Sequence, residues 1–331
     1  MPLLAATRRR FLSGLLAASA LPTWARAESG NPDVVIVGAG AAGIAAAKAL
    51  AAQGLSFVLL EAKDRIGGRA FTDTASFPGL AFDHGCSWLH QADRNPFLRI
   101  AKAQGRTLQG HDDSGEAVFV GDRRANDSEL TAYGRAWDAV KAKLREMGEA
   151  GLDLAPGPRL PLMLPWSHVS KSWIGPLSMG ADAEDFSAVD YWTLAETEPN
   201  VIVREGYGAV VAAYGADLPA RLATPVTAIR WGQGQGVTVE APARDCRVTV
   251  SPGVLAAGGL RFDPALPPVK QAAIEGLPMG LLAKIALRFD GRRFGLRPNE
   301  WLSYATKDPR LCYFLTWPFD QDLMIGFVGG R

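Results

Sequence analysis

The sequence predicts an α/β fold built around a short parallel sheet, and three neighbouring patterns in residues 33–61 predict it. Val34–Val37 is a continuous apolar, β-branched run, as expected for a strand that is buried on both faces. An alanine-rich segment that begins near Ala41 is typical of a helix, and Phe57–Leu60 is a second apolar run. Strand, helix and strand in this order indicate a β-α-β unit.

Three glycines join the first strand to the helix in the pattern G-x-G-x-x-G. The first glycine permits a tight turn, the second lets the backbone approach a pyrophosphate, and the third lets helix and strand pack closely. The helix N-terminus directs unpaired N–H groups and a positive dipole end at phosphates. Glu61 closes the second strand, where it can accept hydrogen bonds from an adenosine ribose. This pattern predicts a Rossmann-like, dinucleotide-binding unit with cofactor contacts at Gly38, Ala39, Gly40, Ala42, Gly43 and Glu61.

A second glycine pair follows in the motif E-A-x-x-R-x-G-G-R, which begins at Glu61 and ends at Arg69. The two glycines free further backbone N–H groups, and Arg69 supplies a planar positive group suited to phosphate. A second phosphate-binding loop favours tightly held FAD over a nicotinamide cofactor. The alternative is a nicotinamide-binding domain with a chance G-G-R. The additional predicted cofactor contacts are Ala62, Gly67, Gly68 and Arg69.

These motifs, together with HGCSWLH at residues 84–90, resemble the flavin-containing amine oxidase family, which includes the monoamine and polyamine oxidases. The resemblance implies FAD as the cofactor. It also implies that four residues of HGCSWLH lie beside the flavin, namely Gly85, Cys86, Ser87 and Trp88. His90 is by similarity a candidate for positioning the amine, and the alternative is a histidine that only makes a hydrogen bond at the end of a loop.

Two further site residues follow from the same resemblance. Val226 matches a family valine that contacts the adenine through its backbone, and an ordinary buried strand valine is compatible with that contact. Residues 279–289 match G-x-x-x-K-[IV]-x-L-x-F, in which the lysine is Lys284. Strand alternation alone favours a solvent-facing Lys284, with Ile285 and Leu287 on the opposite face. In the family this lysine reaches a water at the flavin N5 and assists reoxidation by oxygen, and burial would lower its pKa.

The predicted architecture is a Rossmann-like FAD-binding domain interleaved with an α+β substrate domain. The FAD-binding domain is expected at residues 28–94 and 201–262, and the substrate domain at residues 95–200 and 263–331. The family's second flavin motif, of the A-G-E type, does not follow Trp317, so we expect a C-terminally truncated substrate domain.

Within these domains the apolar pattern predicts several elements. A short helix is expected at residues 95–105, and a hairpin at residues 223–240 around a glycine-rich turn. A longer amphipathic helix is expected to begin with Asp127 or Ser128 as its N-cap and to end at Gly148 and Gly151. Its apolar residues recur at steps of three and four, at Leu130, Tyr133, Trp137, Val140, Leu144 and Met147.

Composition narrows the class of protein. The 331 residues are 48% hydrophobic and 21% charged, which is an ordinary globular balance. The formal net charge of +1 gives no electrostatic basis for binding nucleic acid or an anionic membrane surface. The three cysteines lie far apart and the four histidines form no ligand pair, so we predict neither a disulfide framework nor a metal site.

The resemblance implies oxidation of a small primary or secondary amine to an imine, with oxygen as the acceptor and hydrogen peroxide as a product. The flavin carries the difficult step, while the protein orients the substrate and excludes water. One rival interpretation is an L-amino acid oxidase, although the arginine expected near Trp88 is absent and only Arg94 could replace it. A flavin desaturase-like enzyme, or an inactive, truncated flavoprotein used for binding, is also compatible with the N-terminal motifs.

Residues 1–27 have the pattern of a twin-arginine signal peptide. Arg8 and Arg9 precede Phe11, an apolar run continues to about Leu21, and small residues around Ala27 suit cleavage. The run is too short to span a bilayer as a mature helix. We therefore expect a periplasmic or otherwise exported bacterial protein, which crosses the membrane folded and loaded with its flavin.

Replacing both Arg8 and Arg9 by lysine is expected to abolish export, because this pathway requires the arginine pair. Fractionation of cells into periplasm and cytoplasm, followed by immunoblotting, measures the result. Unchanged export of the variant would contradict the signal-peptide interpretation.

Overall fold

The computed structural model describes residues 32–163, 166–194, 198–232, 236–239, 242–243, 245–305 and 312–330. The predicted signal peptide, residues 1–27, lies outside the described residues. Within those ranges, none of the helices has both the length and the apolar character needed to cross a bilayer.

The described elements follow in chain order. The strands are β1 (Val34–Val37), β2 (Phe57–Leu60), β3 (Thr72–Asp73), β4 (Phe82–Asp83), β5 (Trp88–Leu89), β6 (Leu108–Gly110), β7 (Glu116–Val120), β8 (Arg123–Arg124), β9 (Val201–Val203), β10 (Ala220–Arg221), β11 (Ala228–Trp231), β12 (Val237–Thr238), β13 (Pro242–Ala243), β14 (Asp245–Val248), β15 (Arg261–Asp263), β16 (Leu282–Arg288), β17 (Glu300–Tyr304), β18 (Cys312–Thr316) and β19 (Leu323–Gly329). The α-helices are α1 (Ala41–Ala52), α2 (Pro96–Ala103), α3 (Asp127–Glu149), α4 (Ser167–Ser172), α5 (Ala188–Thr193), α6 (Tyr207–Gly215), α7 (Pro252–Ala256) and α8 (Pro268–Glu275). A π-helical turn at Trp173–Leu177 and 3₁₀ turns at Gly157–Arg159 and Pro318–Asp320 complete them.

The chain divides into two compact units, each built from two separate stretches. The first unit comprises the described residues up to Ala70 together with Val211–Pro278, and the second comprises Phe71–Val210 together with the described residues from Met279 onward. These boundaries differ from the sequence-based ones at residues 94, 201 and 262. Residues 71–94 and 201–210 lie in the second unit because β5 pairs with β9, and β9 pairs with β6. Residues 263–278 lie in the first unit, where β15 pairs with β11.

The first unit contains a parallel four-stranded sheet in the order β10-β2-β1-β14. Side chains of β1 alternate between two cores, as the uninterrupted apolar run predicts. Val34 and Ile36 pack with Ala47 of α1 on one face, whereas Val35 and Val37 pack with Ile229 on the other. The predicted hairpin is present as the antiparallel pair β11 and β12.

The glycine turn brings α1 unusually close to β1. A side chain on Gly43 would place its Cβ 1.9 Å from the carbonyl oxygen of Gly38. Gly38 itself has a φ of 101°, in the region that favours glycine. Thr249 anchors the turn from the next strand, since its Oγ1 donates to the carbonyl oxygens of Val37 and Gly38 at 2.9 Å. Strand and helix can approach this closely only where both positions lack a side chain.

The second unit is organised on a six-stranded sheet in the order β16-β19-β18-β17-β7-β8. Paired residues across the sheet project from the same face. Phe327 lies opposite both Lys284 and Tyr313, and Trp301 lies opposite Glu116. One face therefore has Lys284 on an edge strand, Glu116 four strands away, and aromatic side chains between them. We call it the aromatic face.

The long helix α3 covers part of this face and corrects one prediction. Its N-cap is Asn126, one residue before the candidates, and Asn126 forms a capping box with Glu129. Leu130 is 42% exposed and does not belong to the buried stripe, whose other members pack inward. The helix ends at Glu149, between the two predicted glycines, and Trp192 packs directly against Gly148 in its last turn. The predicted short helix is present as α2, capped by the Asn95 side chain.

We expect Gly43→Ala to lower the free energy of unfolding by about 1–3 kcal/mol, because the new methyl group overlaps a backbone carbonyl. Gly134→Ala is the matched control. Gly134 lies on α3 with open space around it, so alanine should be neutral or stabilise by up to about 1 kcal/mol through helix propensity. Denaturant unfolding of both variants measures the difference, and equal stability of the two would contradict the close-approach argument.

Candidate active site

The two predicted glycine loops lie back to back in the first unit. The backbone N–H of Gly67 donates to the carbonyl oxygen of Ala39 at 2.8 Å. Gly40 and Gly67 form a parallel bridge, and a Cβ on Gly68 would lie 3.2 Å from the Cα of Gly40. Bare backbone therefore lines this junction from both loops, as a pyrophosphate-binding cradle requires.

Glu61 is buried at the end of β2, with 7% of its surface exposed. Its Oε2 accepts a hydrogen bond from the backbone N–H of Ala39 at 2.8 Å, and its Oε1 accepts one from the backbone N–H of Lys63 at 2.9 Å. The carboxylate is thereby fixed against the first glycine loop, and each oxygen keeps a free lone pair. These groups fit the adenosine diphosphate half of FAD, with the loops suited to phosphate and Glu61 suited to ribose.

The remaining predicted contacts of the first unit are less constrained. Ala42, Ala62 and Arg69 are exposed, and Val226 is half-buried against the core cluster that contains Val35. The arginine tied into the second loop is Arg65, whose Nη1 donates to the carbonyl oxygen of Gly68 at 3.0 Å. The sequence marked Arg65 only as a motif position. The cofactor roles of the four predicted residues stay predictions.

Lys284 is anchored in the second unit by three oxygen acceptors. Its Nζ donates to the carbonyl oxygen of Asp83 at 3.2 Å, and also to the carbonyl oxygen of Gly85 and to Oγ of Ser87. The same nitrogen lies 5.7 Å from the ring centroids of Trp88 and Phe327. Burial lowers the pKa of Lys284 to about 8, although the charges of Asp83 and Cys86 act in the opposite direction.

The position of Lys284 shows which face of β16 is buried, on which strand alternation and the family resemblance gave different expectations. Lys284 and Ala286 are half-buried and point to the interior, whereas Ile285 is 47% exposed and Leu287 36% exposed. The alternation itself is as predicted. The expectation from periodicity alone, that Lys284 faces solvent, is wrong, because three oxygen acceptors and two rings hold the lysine inside.

Trp88 of HGCSWLH belongs to an aromatic cluster that the sequence did not indicate. Its indole N–H donates to Nδ1 of His111 at 3.2 Å, and its ring stacks on Trp301 with centroids 5.9 Å apart. Burial lowers the pKa of His111 to about 4, so this histidine is neutral at physiological pH. Among the described residues, Lys284 is therefore the cationic side chain that lies against the rings of Trp88 and Phe327.

His90 lies outside this buried cluster. It is exposed, and a hydrogen bond of 2.6 Å joins its Nδ1 to the Asn200 side chain, which in turn bonds Asp112. Its ring stacks on Trp88 with centroids 6.4 Å apart. Cys86 is exposed as well. The structure thus places His90 and Trp88 side by side, and the role of His90 in positioning the amine stays a prediction.

Known proteins resemble this chain in sequence. Residues 36–103 match the model of an NAD(P)-binding Rossmann-like domain, and residues 178–330 match that of the flavin containing amine oxidoreductases. Polyamine oxidase 4 of Oryza sativa subsp. japonica is 31% identical over 89% of this chain. The chain spans 58–66% of the length of the curated plant polyamine oxidases it matches.

Solved structures share the fold. Wild-type putrescine oxidase bound to putrescine superposes with a TM-score of 0.70 at 22% identity, covering 91% of this chain and 76% of that one. Cyclohexylamine oxidase from Brevibacterium oxydans superposes with a TM-score of 0.69 at 24% identity and the same coverage. Family models, plant relatives and fold agree with the Rossmann-like unit that carries the two glycine loops. The chain belongs to the flavin-containing amine oxidase family, and its cofactor is FAD.

Proposed function

We propose that the protein oxidises a primary or secondary amine, of the polyamine class, to an imine with oxygen as the acceptor. The observation that carries the proposal is the desolvated Lys284, held at Gly85 and Ser87 of HGCSWLH against aromatic rings. Relatives named polyamine oxidase and a fold neighbour named putrescine oxidase support the substrate class. The twin-arginine motif supports a periplasmic location.

The reaction removes a hydride equivalent from the carbon next to nitrogen while the nitrogen lone pair forms the C=N bond. Water then hydrolyses the imine to an aldehyde and a shorter amine or ammonia. The two electrons and two protons removed from the amine reduce oxygen to hydrogen peroxide. FAD, when bound, supplies the two-electron acceptor of this chemistry.

The chain's own residues contribute a charge and a dry surface. Below its pKa of about 8, Lys284 holds a proton at Nζ and places a positive charge in a desolvated setting. Such a charge stabilises negative charge that develops when oxygen is reduced, and it acts more strongly there than in water. Trp88 and Phe327 limit water around the ammonium group, and apolar surroundings favour the neutral amine, which is the reactive form.

The first test records the visible spectrum of the purified chain and mixes it with putrescine or spermidine without oxygen. We expect a flavin band that the amine bleaches, and peroxide in an equal amount when oxygen is admitted. A flavin band that no amine bleaches would contradict the proposed activity. Bleaching by L-amino acids but not by diamines would instead favour the amino acid oxidase.

The second test replaces Lys284 by methionine, which keeps most of the length of the side chain and removes the charge. Flavin reoxidation should slow by about 100-fold, as expected when one preorganised charge is lost. In the parent protein the reoxidation rate should fall as pH rises through about 8, because Nζ then loses its proton. The variant should lack this titration.

Lys102→Met is the matched control, because Lys102 is an exposed lysine of the same unit. Stopped-flow mixing of the reduced protein with oxygen measures all three rates. A Lys284→Met protein that reoxidises at the parent rate would refute the role of the lysine.

A further inference from the structure

A continuous row of aromatic rings crosses the second unit and begins at Trp88. Trp88 stacks on Trp301 with ring centroids 5.9 Å apart, and Trp301 meets Trp173 edge to face at 5.1 Å. The Trp173 ring lies 6.2 Å from that of Trp137, which lies 6.4 Å from that of Tyr133. Each distance is that of an aromatic pair in contact. We call these rings the aromatic row. Indole and phenol rings are among the side chains that lose a single electron most readily, so the row is a path for a missing electron, or hole.

Tyr133, the last ring of the row, donates its hydroxyl to a base. The acceptor is Oε1 of Glu116 at 2.8 Å, and the Ser303 hydroxyl donates to the same oxygen at 2.5 Å. A tyrosine that loses an electron also releases its hydroxyl proton, and a base within hydrogen-bond reach takes up that proton. Desolvation raises the pKa of Glu116 against the effect of its hydrogen bonds. The carboxylate therefore accepts a proton more readily than one in water.

A second tyrosine that contacts the row donates its hydroxyl to a carbonyl oxygen instead. The Tyr313 ring lies 4.7 Å from that of Trp173, and its hydroxyl donates to the carbonyl oxygen of Val169 at 2.7 Å. Tyr133 and Tyr313 are both buried, at 6% and 1% exposure. A peptide carbonyl is a far weaker base than a carboxylate, so it holds the hydroxyl group without taking its proton. Oxidation is therefore favoured at Tyr133, although Tyr313 contacts Trp173 directly.

The charges at the two ends of the row favour movement of a hole from Trp88 to Tyr133. Nζ of Lys284 lies 5.7 Å from the centroid of the Trp88 ring. An ammonium group opposes positive charge on an oxidised indole, and this repulsion is stronger away from water. The carboxylate of Glu116 has the opposite effect at Tyr133, where it also removes the proton. A hole formed at Trp88 is therefore more stable once it has reached Tyr133.

We propose that the aromatic row carries oxidising equivalents from Trp88 to Tyr133, whose hydroxyl proton passes to Glu116, and so protects the surroundings of Lys284 from oxidative damage. The oxidant is a one-electron oxidant derived from peroxide, such as the carbonate radical. The radical gains one electron and becomes carbonate, Tyr133 loses that electron and becomes a neutral tyrosyl radical, and Glu116 gains the proton. A thiolate then supplies one electron, becomes a thiyl radical, and the proton returns to Tyr133. The source of the peroxide rests on the proposed function, whereas the transfer does not.

The first experiment generates azide radicals by pulse radiolysis of the full chain, without oxygen or amine. Azide radicals oxidise tryptophan first, and tryptophan and tyrosine radicals have separate absorption bands. We expect the tryptophan band to decay as the tyrosine band grows, at a rate that does not depend on protein concentration. Tyr133→Phe should lose most of the tyrosine band. Glu116→Gln, which keeps a hydrogen-bond acceptor but removes the base, should slow its growth by about 100-fold.

Tyr313→Phe is the matched control, because it removes another buried hydroxyl group beside the same row. It should leave the tyrosine band unchanged. A second readout is peptide mass spectrometry of the chain after exposure to carbonate radicals. Trp301→Phe interrupts the row with a ring that is hard to oxidise, so the oxidised fraction of Trp88 should rise above that of the parent protein.

Three outcomes would overturn the inference: a tyrosine band of parent strength in Tyr133→Phe, an equal loss of that band in Tyr313→Phe, or equal oxidation of Trp88 in Trp301→Phe and the parent. The radicals are produced without turnover, so the proposed function is judged separately by the bleaching of the flavin band. A chain that transfers holes to Tyr133 but oxidises no amine would keep this inference and refute the oxidase.

Discussion

Much of the second unit depends on one buried carboxylate, that of Asp83. Its side chain accepts hydrogen bonds from the backbone N–H groups of Tyr207 and Gly208, at 2.8 and 3.1 Å, where α6 begins. Thr72 adds a hydroxyl donor at 2.5 Å, and the carbonyl oxygen of Asp83 receives Lys284. Negative charge at a helix N-terminus is favourable, although burial raises the pKa of Asp83 against these hydrogen bonds. One residue thus fixes the start of a helix and the position of the lysine.

The packing around Asp83 also restricts its neighbours. Gly206 has a φ of 89°, and a Cβ there would lie 2.3 Å from the Thr72 side chain. A Cβ on Gly208 would lie 2.5 Å from the backbone nitrogen of Thr72. The two glycines allow the helix start to approach β3 closely enough for both Asp83 and Thr72 to reach its N–H groups.

The sequence predicted those parts of the molecule whose chemistry is local. The glycine turn, β1, α1, β2 and the position of Glu61 at the end of β2 follow from spacing, because a tight turn, a parallel strand and the acid that closes the second strand each need particular residues at fixed intervals. The inward position of Lys284 was predicted only by the family resemblance. Strand alternation shows which residues share a face but does not show which face is buried. Asp83, His111 and Glu116 were missed because their importance arises from partners distant in sequence. Gly206 and Gly208 were the available signal for Asp83.

The sequence predicted interleaved domains but not their boundaries, because these too depend on contacts between residues that are distant in sequence. Residues 71–94 continue smoothly from the second glycine loop in sequence, yet their strands pair with β9 or with each other. Backbone pairing over long separations leaves no trace in composition or periodicity. Local caps show the same effect on a smaller scale: Asn126, Asp127 and Ser128 are all good N-cap residues, and the Glu129 side chain selects Asn126.

The parallel pairing of β1 with β14 has a consequence for biogenesis. Val34 is among the first described residues, and its partner Asp245 is synthesised only after most of the second unit. β7 likewise gains its partner β17 late, through the register of Trp301 with Glu116. Neither unit can close on the ribosome as an N-terminal module, and the edge of β1 that faces β14 stays unpaired meanwhile, although β2 can already pair with the other edge. The nascent chain is therefore expected to need holdase protection, and slow translation at low temperature should improve its soluble yield.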